Sequence, residues 1–159
     1  MNRYDFALGR VPEKEPEDDS IVPADLKDVW EHFKPKTLEE SVHFLVKMYA
    51  NNLLFTGVAL LTEDEFIGRC HHGIGAQIRN DWGLWQDSYL AMHFKEMGIQ
   101  HADDMSGIIL TSTYREITGQ IWDLVGQIKH YKDYWAEAEN MMLCLEIQMV
   151  RTGRSSGRV

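Results

Sequence analysis

The chain has 159 residues with 16 basic and 25 acidic side chains, a net charge of −9, and 44% apolar residues that include five Trp and eight Met. Such a chain makes about one domain with a real core, and its acidity argues against direct binding to nucleic-acid phosphates, which takes clustered Lys and Arg. No run approaches the roughly 18 apolar residues of a membrane span, and the early acids leave no secretory h-region, so no membrane contact and a cytoplasmic location are expected.

Residues 1–31 hold nine acids and four bases. Pro12, Pro16 and Pro23 punctuate a stretch carrying Glu13, Glu15, Glu17, Asp18 and Asp19, so residues 1–23 are expected to form a flexible acidic arm. A solvated arm is the plain reading, and docking on a basic partner the sharper one. Residues 24–119 read as a helical domain. Leu26, Val29, Trp30 and Phe33 fall at i, i+3, i+4, i+7 and so share one helix face. Thr37 with Glu40 forms a T-x-x-E capping box, which opens a helix carrying Leu38, Val42, Leu45, Val46 and Tyr49. The apolar run at 53–61 is loop or helix, because a lone strand would have no partner.

Thr62 with Glu65 makes a second capping box, and EDEFIGRCHHGIGAQIRNDW reads as one helix beyond it. Gly73 and Gly75 each cost this helix roughly 1 kcal/mol against alanine, and close approach of a neighbouring helix is the expected reason. A turn at Trp82-Gly83-Leu84-Trp85 leads to a helix with Leu90, Phe94 and Met97, stopped by Gly98. Asp103 and Asp104 then fall in the first turn of ADDMSGIILTSTYREI, where the helix dipole favours carboxylates.

From 120 to 151, Ile121, Leu124, Ile128, Tyr131, Trp135, Ala138, Met142, Leu145 and Met149 recur at alternating spacings of three and four, an a/d heptad stripe. A helix this long measures roughly 48 Å, against a radius of gyration of about 15 Å for a compact chain of this size. It must therefore span the domain or project from it, either covered by the other helices of the same chain or serving as one arm of a hairpin or as a homodimer seam. Residues 152–159 are expected to be a disordered tail. The fold class is all-α, a compact helical domain with a long C-terminal heptad-patterned helix.

Chemistry-bearing residues concentrate in 71–106. Arg79 and Asn80 could offer donors to an anionic or polar ligand, Trp82 and Trp85 could supply flat walls, and His101, Asp103 and Asp104 could close the pocket. In the competing reading Arg79 pairs with Asp103 or Asp104 and ties two helices together. His71 or His72 with His101 and Asp103 or Asp104 has the side chains of a metal-dependent hydrolase, although adjacent histidines cannot both face inward from a regular helix. Ser106, Ser112 and Thr113 lack a nucleophile elbow. His32, His43, His93 and His130 receive no role. Cys70 and Cys144 have no C-x-x-C spacing and are expected to be reduced thiols, so no cofactor is implied.

The stretch from Lys36-Thr37-Leu38-Glu39-Glu40 through Ile78-Arg79-Asn80, Trp82-Gly83-Leu84-Trp85 and His101-Ala102-Asp103-Asp104-Met105-Ser106 resembles a family of small bacterial and phage proteins known only as a domain of unknown function. The resemblance covers about residues 35–117 and rests on the IRN-x-WGLW and H-x-DD-x-S motifs, with Ala102 where the family has proline. It supplies no activity. The chain is thus expected to be a non-catalytic helical interaction protein that forms a homo-oligomer through the 120–151 stripe and engages another macromolecule, with inhibition of a host protein as a refinement drawn from the resemblance and the acidity. The alternatives are the small-molecule pocket at Arg79, Asn80, Trp82 and Trp85, and the metal-dependent hydrolase.

Overall fold

A computed structural model of the chain describes residues 26–50, 57–58 and 60–153. The arm expected at 1–23 and residues 154–159 of the tail expected at 152–159 lie outside the described residues, whereas Thr152 and Gly153 of that tail belong to the last helix. Among the described residues seven helices follow in order: α1 (Lys27–His32), α2 (Leu38–Ala50), α3 (Glu63–His71), α4 (Ile74–Asp81), α5 (Tyr89–Glu96), α6 (Ala102–Ile117) and α7 (Leu124–Gly153). Among the described residues there is no strand, and the protein is all-α as its periodicity predicts.

Helix α6 is the hub. It touches α2, α3, α4, α5 and α7, and ten of its sixteen residues are buried. An element surrounded on all sides has no solvent face to keep polar, which is why small and apolar residues dominate it. Its buried hydroxyls turn inward on the helix itself, Thr113 Oγ1 donating to the Ile109 carbonyl at 2.7 Å. Against it α2 lays Leu38, Val42 and Leu45, each fully buried. Burial of such side chains contributes about 1.5–3 kcal/mol apiece. On the other side of α2 an aromatic cluster closes the body: Phe33 stacks on Phe44 at 4.0 Å, and Trp30 on Trp82 at 5.1 Å. Trp30 Nε1 also donates to Asp81 Oδ2 at 2.6 Å, which pins α1 to the end of α4.

Three readings of the sequence need correction. The segment expected as one helix from 63 is two, because Gly73 takes a conformation (φ −86°, ψ −103°) outside the helical region and serves as the N-cap of α4. Val29 does not share the buried face of Trp30 but is 51% exposed; a helix of six residues is too short to bury more than one edge. The long helix begins at Leu124 rather than at 120. Asp123, in the left-handed region at φ 48°, caps it by accepting the Gly126 N–H on Oδ1, so Ile121 lies ahead of the helix and is exposed.

Helix α7 has two halves. At about 1.5 Å per residue its 30 residues extend roughly 45 Å. In the first half Leu124, Ile128 and Tyr131 pack against the core, and Tyr131 Oη rests on Gly107 of α6. In the second half every residue from Glu139 to Val150 is exposed, including Met141, Met142, Leu143, Leu145, Ile147, Met149 and Val150.

Candidate functional site

The region from His71 to Ser106 folds around Arg79. The α3 capping box aims α3 so that its C-terminal carbonyls meet the start of α6: Thr62 Oγ1 accepts the Glu65 N–H, and Glu65 returns a carboxylate to the Thr62 N–H at 2.9 Å. Those bonds hold the Glu65 carboxyl below its ordinary value. Arg79 is buried at 7% exposure. Its Nη1 donates to Ser106 Oγ at 2.9 Å, its Nη2 to the His71 carbonyl at 3.2 Å, and its Nε lies 3.3 Å from Asp103 Oδ1. Ser106 Oγ in turn donates to the Asp103 carbonyl. One guanidinium therefore ties the end of α3, the last turn of α4 and the start of α6. Gly75 makes room for it: a β-carbon there would lie 3.1 Å from the Cys70 carbonyl oxygen and 3.2 Å from Arg79 Nη1.

The residues grouped by sequence as a pocket point in different directions. Asn80 Oδ1 accepts from Trp85 Nε1 at 3.2 Å on the surface, with Trp85 59% exposed, whereas Trp82 is buried in the aromatic cluster. Asp103 faces Arg79 and stands 4.0 Å from His71 Nε2. Asp104 faces the other way, toward α7, where its Oδ2 accepts from Trp135 Nε1 at 2.7 Å. The His101 ring stacks on the same indole at 3.8 Å. Burial pushes the Asp104 carboxyl above its ordinary value, with the Trp135 hydrogen bond as the main counterweight. The α6 N-terminus thus has two polar faces, one locked to Arg79 and one latched to Trp135.

His71 and His72 meet edge to face rather than converging, and among the described residues no three His, Cys, Asp or Glu side chains cluster closely enough to hold a metal ion. Cys70 is half-buried, and burial pushes its thiol up to about 11, which leaves little thiolate at neutral pH. Two contacts escaped the sequence reading. Ser106 was visible, since it lies three residues after Asp103 and so on the same helix face, but its pairing to Arg79 needs the α4–α6 packing. Trp135 was assigned to the heptad stripe, and its polar partners on α6 carry no signal in sequence.

Residues 34–117 match the family described as domain of unknown function DUF6794. The chain belongs to this family. The family region begins just before α2 and closes with α6 at Ile117, so it contains the Arg79 tie whole and leaves out α1 and α7. No curated protein and no solved structure matches the chain.

Proposed function

We propose that this protein is a non-catalytic interaction module that pairs with a second copy of itself through the projecting half of α7. The observation that supports the reading is the continuity of one stripe across two environments. Leu124, Ile128 and Tyr131 spend the heptad pattern on the chain's own core, and Met142 and Leu145 carry the same pattern beyond it at 64% and 53% exposure. Exposed apolar surface of this extent marks an interaction site in a folded protein. A second copy suits it because a heptad seam is self-complementary.

The body sets the orientation. It occupies the stripe side of the first half, so a parallel partner would drive two bodies into each other. An antiparallel partner places its own body beyond the free end of the first helix and brings Met142 against Leu145. Glu139 and Glu146 flank the stripe with no Lys or Arg between 136 and 150, and exposed like charges there cost about 0.2–0.5 kcal/mol per pair. That is smaller than the roughly 1.5–3 kcal/mol from burying each large apolar side chain. Leu143, Ile147 and Val150 make a second exposed stripe about a third of a turn round the helix, left open for a further macromolecule.

Sedimentation velocity over a concentration series tests this. The expected particle is 37 kDa, twice the 18.5 kDa chain, tightening with salt as the glutamates are screened. The double substitution M142E/L145E should give an 18.5 kDa monomer that unfolds at the midpoint the wild type shows at high dilution, because both side chains are exposed in the single chain. A wild-type monomer at all concentrations, or a dimer that survives M142E/L145E, refutes the pairing.

A further inference from the structure

The joint where α7 leaves the body holds titratable groups that neither the Arg79 tie nor the pairing uses. The His101 ring lies nearly flat on the Trp135 indole, with centroids 3.8 Å apart and planes 18° from parallel. The same indole donates its Nε1–H to Asp104 Oδ2 at 2.7 Å. One indole is thus held by an imidazole on its face and a carboxylate at its edge, both from the start of α6. Beyond this joint every residue from Glu139 to Val150 is exposed, so the contact stands at the base of the projecting half.

The two protonation states of His101 are not equivalent there. A neutral imidazole stacks on the indole by dispersion, whereas an imidazolium also meets the negative face of the ring. Burial holds the Asp104 carboxyl above its ordinary value, and a cation at His101 favours its charged form. His101 is exposed, so its charge stays hydrated while one face touches the indole. Other groups surround the pair: His130 and Tyr131 of α7 approach Asp104, Asp103 is turned toward Arg79, and Lys132 lies against Gly98 in the turn before α6. Among these residue types only histidine changes charge over roughly pH 5–8.

We propose that His101 and Trp135 form a proton-operated latch, in which a charged imidazole holds the base of the projecting half of α7 firmly to α6 and a neutral one holds it less. The latched fold favours the imidazolium, so this stabilisation is present at low pH and is lost as pH rises through the imidazole range. At still lower pH, protonation of Asp104 weakens the acceptor of the Trp135 Nε1–H, so the latch is strongest between the two titrations. It lies within one chain and does not depend on the pairing of α7.

The test is a double-mutant cycle on the full chain at high dilution. Wild type, His101→Gln, Trp135→Leu and the double variant are unfolded in urea at about pH 6 and about pH 8, either side of the usual imidazole range. His130 and every other titrating group are present in all four chains and cancel. The coupling between positions 101 and 135, read as a factor in the unfolding equilibrium constant, should be about two- to fivefold larger at the lower pH, the worth of a cation on an exposed aromatic face. A second cycle with Trp135→Phe, which keeps a ring with a weaker face, should return a smaller pH-dependent factor. Coupling that is equal at the two pH values, or larger at the higher one, overturns the proposal.

Discussion

Arg79 and Asp103 are unequal partners, and the inequality decides what each substitution does. The arginine side chain is 8% exposed and the aspartate 52%. Truncating Arg79 frees a carboxylate that water can still solvate, whereas neutralising Asp103 leaves a buried guanidinium without its counter-charge, the costlier of the two electrostatic losses. Asp103→Asn should therefore lower stability by about 1.5–3 kcal/mol, the range for a hydrogen bond to a charged group, measured as a fall in urea midpoint with an unchanged m-value. A loss near zero would mean that Ser106 Oγ and the His71 carbonyl satisfy the arginine by themselves. This pair also shows how much of the candidate site was legible. Arg79 and Asp103 are brought together as the structural reading of the sequence expected, and Ser106 joins them without having been foreseen. Asn80, Trp82 and Trp85 diverge, because successive positions at a helix C-terminus leave the axis at different angles and local sequence does not say which neighbour receives each one.

Helix α7 is held to α6 by a contact in which glycine is required for space. A methyl group on Gly107 would stand well inside van der Waals contact of Tyr131 Oη, while the ring carbon behind that oxygen lies at 3.4 Å, an ordinary distance. Alanine in a helix interior gains up to about 1 kcal/mol over glycine from propensity, but overpacking costs about 1–3 kcal/mol. Gly107→Ala should consequently lower the thermal midpoint, and adding Tyr131→Phe should restore it to wild type or above. Failure of the phenylalanine to rescue would show that the α6–α7 distance is set elsewhere. At this scale most of the fold was readable. The Thr62–Glu65 box opens α3 as expected, and Ser88 and Gly98 bound α5, with Gly98 at φ +88°. The Thr37–Glu40 box forms only in part, since Glu40 reaches the Lys36 N–H instead of that of Thr37. Gly73 was read as an interior glycine placed for close approach of a neighbouring helix, because the break between α3 and α4 that it caps is not encoded by periodicity.

Across the whole molecule, the family domain carries most of the core, and the proposed pairing falls to the projecting helix. The core closes with Tyr131, and Trp135 adds the His101 stack and the Asp104 hydrogen bond. Every residue from Glu139 to Val150 is exposed, so little burial within one chain supports the helix there, and a lone segment of about 15 residues is marginal in water. The proposed pairing would supply that support. A chain ending after Ala136 should thus keep the thermal midpoint that the full chain shows at high dilution, since every buried contact of the body remains. The full chain differs in one respect: mass action makes its midpoint rise with protein concentration, whereas the shortened chain's midpoint stays flat. Calorimetry of both chains over a dilution series separates the cases. A shortened chain that melts earlier even at high dilution would mean that the second half of α7 braces its own body and is not held out for a partner.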